Sequence, residues 1–354
     1  MSMCYKANLD QAVERQRLLW TRNLPHGILA TVEPEEAPLG QIATAACRMA
    51  PDVEAILDTW DFWLSRRREL ADDSMPVARV SFGSNAFGGF LGAKVMFGDG
   101  GGWSYPLLDD WAKLEALRFD DQNEWIGRQR DACLYFVGKA SGRFAVCESE
   151  TIDALNLADV LRGTSQAMLD IYDYPEELRR LMTFGVDFNA RLIQMQRAVL
   201  GPAASYCGGS FLLHYVWIPG PGVWLSVDSY CLCRAQVFAR FGREFLQALI
   251  DRFGSGWLHL HAGGLHLLPE LLKLRGLWGI SICDDPGVPR PFERLPEIRA
   301  AAKEMPLEIW CHKDELLAGM RDRTLPGNIL YRVDQVQSVR EANALMELVR
   351  EYPV

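Results

Sequence analysis

The 354-residue chain lacks several things that would place it quickly. It has no basic block beyond Arg66-Arg67-Arg68, no CxxC pair and no apolar run approaching the ~18 residues that span a bilayer, and MSMCYKANLDQAVERQ reads as a polar helix rather than a secretory leader. Affinity for phosphate backbones rests on Lys and Arg patches, and here 37 Lys and Arg face 46 Asp and Glu, a net charge of −9. Nucleic acid and membrane are therefore not expected partners. Without a CxxC pair, the nine cysteines, at 4, 47, 133, 147, 207, 231, 233, 283 and 311, read as reduced and mostly buried thiols of a cytoplasmic protein. The glycine-rich stretch 82–106 contains neither GxGxxG nor GxxxxGK[ST], so it reads as a long loop over a pocket mouth rather than a nucleotide cradle.

What is present is an ordinary globular composition, 49% hydrophobic and 23% charged. Residues 1–75 read mostly as helix, with amphipathic stretches at 8–22 and 52–70. VARVSF at 77–82 and RFAVCES at 143–149 read as strands, 153–200 as helix, and FLLHYVWI at 211–218 as another strand. The last third alternates cleanly. WLHLH, GISICDD, LEIWCHK and NILYRVD are each followed by a helical pattern. Four such units imply a parallel sheet, and the missing dinucleotide fingerprint favours a barrel. The expected architecture is α/β: a single (β/α)8 TIM-type barrel over 76–354 with an N-terminal helical extension over 1–75.

The segment WLHLHAGG carries the sharpest chemical signal. His259 and His261 lie two apart in a strand and so share a face. They end a strand that feeds a helix, where barrels keep their chemistry. Neighbouring strand ends add Cys283, Asp284 and Asp285, then Cys311 and His312, then Arg332 and Asp334. Zinc takes three or four N, S or O ligands, and the candidate set is His259, His261, Cys283 and Cys311. Asp228 and Glu148, also after strands, join the two histidines as candidate acid/base groups. Arg79, Trp217, Asp284 and Arg332 are candidate substrate contacts. The alternative is that these histidines and cysteines are hydrogen-bonded or packing residues.

Several pieces, in order, resemble the uroporphyrinogen decarboxylase superfamily. They are LRG and DYPEELRRLM (161–182), DSYCLCRAQVFARFGREFL (228–246), WLHLHAGG, ELLKLRGLWGISICDDPGVP and the closing SVREANALMELVREY. The resemblance covers most of the chain. It implies the barrel, and it brings in the zinc-dependent methyltransferases of that group, which feed corrinoid proteins or thiols. Their strand carries His-x-Cys. Here His259 matches the histidine and His261 replaces the cysteine, while the last strand, NILYRVDQVQS, has no cysteine for the second sulfur ligand. The resemblance thus implies an enzyme moving a methyl group from a small methylated compound to a corrinoid or thiol acceptor, with zinc as cofactor, a corrinoid protein as partner and a homodimer as one form. A metal-independent decarboxylase and a non-catalytic binding barrel remain open.

Overall fold

The computed structural model describes residues 3–24, 26–98 and 101–352. Its parallel strands are numbered in chain order: β1 (Ile28–Pro34), β2 (Val77–Arg79), β3 (Ala145–Cys147), β4 (Val223–Leu225), β5 (Gly256–His261), β6 (Leu277–Cys283), β7 (Leu307–His312) and β8 (Ile329–Val336). One six-stranded ladder runs β1-β8-β7-β6-β5-β4, and a separate two-stranded ladder joins β2 to β3. The α/β architecture is as expected and is compatible with a TIM-type fold. The continuous eight-strand ladder is not seen among the described residues, because neither free edge of the large sheet pairs with β2 or β3 by backbone.

Side chains serve those edges, beside one backbone bond from Asp73 N to the Ala30 carbonyl at 2.9 Å. Asp73 Oδ2 accepts from Ala30 N at 2.9 Å, and Asp72 Oδ2 accepts from Val32 N at 2.9 Å. At the other edge, Thr151 Oγ1 donates to the Trp224 carbonyl at 2.8 Å. Buried backbone groups need partners, and short polar side chains next to β2 and β3 supply them where the strands are too short to do so.

Strand parity sorts the rest. Leu258, Leu260, Ile280, Ile282, Leu307, Ile309, Ile329, Tyr331 and Val333 lie in the core between sheet and helices. Leu29, Trp257 and Leu330 belong to a second core, shared with Trp20 of the helix Leu9–Trp20 and with the 205–218 region. Alternate residues face opposite sides of a sheet. The inner face therefore carries Trp257, His259 and His261 from β5, Ser281 and Cys283 from β6, Glu308, Trp310 and His312 from β7, and Arg332 and Asp334 from β8.

Three expectations change. The 1–75 extension is not all helix, since Ile28–Pro34 inside it pairs in register with β8, Ile28 opposite Ile329. Its seven residues are all buried, and ILATVEP was too short to show a period. FLLHYVWI is not one strand. Gly209–Leu212 and Val216–Ile218 pair antiparallel around His214 and Tyr215, which have φ of 65° and 64°. Left-handed backbone at two consecutive non-glycine residues turns the chain where the apolar pattern suggested continuity. In the glycine-rich stretch the described residues form a 3-10 turn at Ser84–Leu91 and the antiparallel pair Val95–Gly98 and Gly101–Ser104, and residues 99–100 lie outside the described ones. A Cβ at Gly102 would sit 2.5 Å from the Phe82 carbonyl oxygen, so the pair is pressed onto the segment after β2. Among the described residues no helix is long and apolar enough to cross a membrane.

Candidate active site

The inner-face residues at the carboxyl ends of β5 and β6 converge. His259 is opposite Ser281 and His261 opposite Cys283 in the parallel register. Cys283 Sγ lies 3.5 Å from His261 Nδ1 and 3.9 Å from His259 Nε2. One donor atom from each of the three falls within 4.8 Å of the others. The two histidine rings meet edge to face at 4.8 Å.

Two carboxylates flank His261. Asp285 Oδ1 sits 2.6 Å from its Nδ1, while Asp285 Oδ2 accepts from Gly263 N at 2.9 Å. Asp228 Oδ1 lies 3.7 Å from Nε2 on the other side and has no hydrogen bond. Burial pushes the Asp285 carboxyl up, but the Gly263 N–H and His261 outweigh it and leave it below the usual range. For Asp228, burial wins over the attraction of His261 and the carboxyl is raised.

His259 is the buried member of the pair. Burial, reinforced by the neighbouring His261, lowers its imidazole to about 3, so it is a neutral ring at any working pH. Burial and then the Asp285 and Asp228 charges push the Cys283 thiol up to about 12. His214, from the turn between the two antiparallel strands, lies beside His259 with ring centroids 4.8 Å apart and planes tilted by 53°. Sequence reading placed His214 in mid-strand and missed it. The acid at the site is Asp285 rather than the expected Asp284, as parity from Cys283 requires.

The other expected residues go elsewhere. Cys311 is a correction: it lies in the helix-facing core, one residue out of phase with the inner face, and burial raises its thiol well above normal. Asp284 is turned to Arg290 at 2.8 Å. Glu148 is buried and ion-paired with Arg197 of the helix Pro175–Leu200. It is Glu150, two residues on, that meets Arg79 at 3.3 Å and accepts from Ser81 Oγ at 2.5 Å. Arg332 is fully engaged, donating to Glu33 at 2.7 Å and stacked over Trp310 and Tyr215 at 4.4 and 5.6 Å. Trp217 is buried in the antiparallel region, its indole N–H donated to the Tyr206 carbonyl at 2.8 Å and its face covered by Arg17. A second histidine–carboxylate pair, His312 Nδ1 to Asp334 Oδ1 at 2.6 Å, stands at the ends of β7 and β8.

The donor set fits a borderline divalent ion such as zinc. Two imidazoles and one sulfur are zinc's common ligands, and three protein ligands with an open position are the catalytic pattern. His259 needs no deprotonation. Asp285 meets His261 Nδ1, the nitrogen that Cys283 Sγ also approaches, while Nε2 faces Asp228, so the ring carries the carboxylate contact that metal-binding histidines ordinarily make.

No family model and no curated protein sequence matches the chain. Among solved structures, a methyltransferase from Methanosarcina mazei shares the fold at a TM-score of 0.63, covering 96% of this chain and 98% of its own, at 12% identity.

Proposed function

We propose, from that shared fold and the His259–His261–Cys283 cluster, that the chain is a zinc-dependent methyltransferase similar to the uroporphyrinogen-decarboxylase-like enzymes. It would move a methyl group from a small methylated compound to a thiol or corrinoid acceptor. The two ladders read as parts of one TIM-type barrel whose seams are closed by side chains, with the site at the carboxyl ends of the strands as in other barrels. The observation that carries the reading is the meeting of two imidazoles and a thiol on adjacent strands.

Zinc bound there would lower the pKa of a thiol at its open position and make it a nucleophile. The chain's own residues prepare that position. Neutral His259 and Asp285-oriented His261 present nitrogen lone pairs. Asp228, partly open and 3.7 Å from His261 Nε2, has an Oδ1 free of hydrogen bonds and can take a proton from a substrate group. His312, oriented by Asp334, stands at the same end of the sheet as a second acid/base group.

A metal-free decarboxylase needs free cations to clamp substrate carboxylates. Arg79 and Arg332 are already neutralised by Glu150 and Glu33, which weighs against it. The test is metal content of the purified protein beside a His259→Ala variant. Stoichiometric zinc lost in the variant supports the reading. A metal-free wild type that stays metal-free in zinc buffer would end it.

A further inference from the structure

The outer contact of His261 is plain, but that of His259 is not. Its Nε2 faces Cys283, so in the ligating form Nδ1 carries the proton, and Nδ1 is buried with no hydrogen-bond partner. Two more buried polar groups without a well-formed hydrogen bond lie in the same cross-strand row. Ser281 on β6 is the register partner of His259, and Glu308 on β7 is the register partner of Ser281. Ser281 Oγ and both Glu308 carboxyl oxygens are buried without a well-formed hydrogen bond, although the hydroxyl is near enough to act on the carboxyl. Neighbouring strands run about 4.8 Å apart, so the three side chains stand side by side on the inner face.

Such orphaned groups are rare in native interiors and call for an account. Glu308 has no cation of its own, because Arg332 is committed to Glu33. Burial raises its carboxyl, against the pull of Arg332 and of the Ser281 hydroxyl. A buried carboxyl without good hydrogen bonds costs stability unless it serves something. Metal-bound histidines are oriented by an acceptor on the second ring nitrogen, frequently a carboxylate.

We infer that Ser281 and Glu308 are positioning residues for His259, forming a relay in which His259 Nδ1–H donates to Ser281 Oγ and Ser281 Oγ–H donates to Glu308. The relay holds the tautomer that leaves Nε2 free for the ion, and it does for the buried histidine what Asp285 does directly for the exposed one. It rests on the metal-site reading above.

Zinc titration of the full chain by calorimetry, with Ser281→Ala, Glu308→Leu and Glu308→Gln, tests it. Outer-shell losses typically cost 10–100-fold in metal affinity, so Ser281→Ala and Glu308→Leu should each weaken zinc about that much. Glu308→Gln keeps an acceptor oxygen and should stay within about threefold of wild type, which a loss of packing alone would not produce. Histidine-selective ¹⁵N NMR of the zinc form gives the second readout. A protected Nδ1–H of His259 should be present in wild type and lost in Ser281→Ala, whose near-isosteric change should preserve the fold. No zinc binding by wild type defeats the metal reading, and this inference with it. Wild-type zinc binding with unaltered affinity in Ser281→Ala and Glu308→Leu overturns the relay alone. A His259 Nδ1–H lost in His214→Phe but kept in Ser281→Ala also overturns it, assigning the acceptor to His214.

Discussion

The two sides of β1 are built from different materials. Toward β8 it is held by backbone pairing over six registered positions, and the ladder continues through β4. Toward β2 it is held by Asp72 and Asp73. Asp72 gathers Lys6, Arg67 Nη2 at 2.7 Å, Ser74 Oγ at 2.8 Å and the Val32 N–H, while Asp73 takes Arg15 Nε at 2.7 Å and the Ala30 N–H. A backbone ladder tolerates side-chain change because its bonds belong to every sequence. A carboxylate seam concentrates the same task in two residues and ties it to charge.

That contrast is most directly broken at Asp72, which is fully buried with its two cations. Removing one partner of a buried pair leaves the other charges uncompensated, so Asp72→Ala should destabilise by about 3–5 kcal/mol in urea melts. A seam indifferent to this change would mean that the strands, not the carboxylates, close it.

The same seam should be sensitive to acid. Burial pushes Asp72 up, but Lys6 and Arg67 overcome it and hold the carboxyl below its usual range. A depressed folded value contributes stability above the unfolded pKa of about 3.9, and that stability drains away as pH falls through the folded value. Urea melts taken at successive pH values below about 4 should show a steeper loss in wild type than in Asp72→Asn. Parallel curves would assign the acid response elsewhere.

At the site the contrast is between donors ready for a metal and one that is not. His259, at about 3, is a free base, whereas Cys283, at about 12, is a thiol at neutral pH. Binding should therefore expel the Cys283 proton, and zinc affinity should rise about tenfold per pH unit near neutrality. Cys283→Ala should bind more weakly and with a flatter pH response. A wild-type affinity independent of pH would remove Cys283 from the ligand set.

The smallest effects separate site from scaffold. Cys311→Ala should leave zinc affinity within about twofold while costing about 1 kcal/mol of stability, as a small buried side chain would. Asp153, which accepts from Leu155 N and Asn156 N at 2.9 Å, caps the helix Ala154–Arg162, and Asp153→Ala should cost about 1 kcal/mol without touching metal binding.

Legibility followed local regularity. The units from β5 onward repeat strand and helix in phase, so their order is readable. β1 was not, because seven buried residues between helices carry no alternation. His214 hid because a left-handed turn interrupts an apolar run without glycine or proline to mark it. Glu308 did leave a signal, an acid inside the apolar LEIWCHK, but its partner in the row lies on another strand.

An α/β chain with a paired-histidine strand ending near glycines is legible residue by residue, because periodicity and the i, i+2 rule are local. The sequence alone also implies which face His259 and His261 share. Only the tertiary structure decided which residues complete the group. Cys283 joins and Cys311 does not, because sheet register and one residue of parity separate an inner-face thiol from one packed under a helix. Only packing, too, made the two histidines unlike. Burial strips His259 of water and proton, while Asp285 meets its neighbour at the rim, and neither environment is written in the tripeptide that carries them.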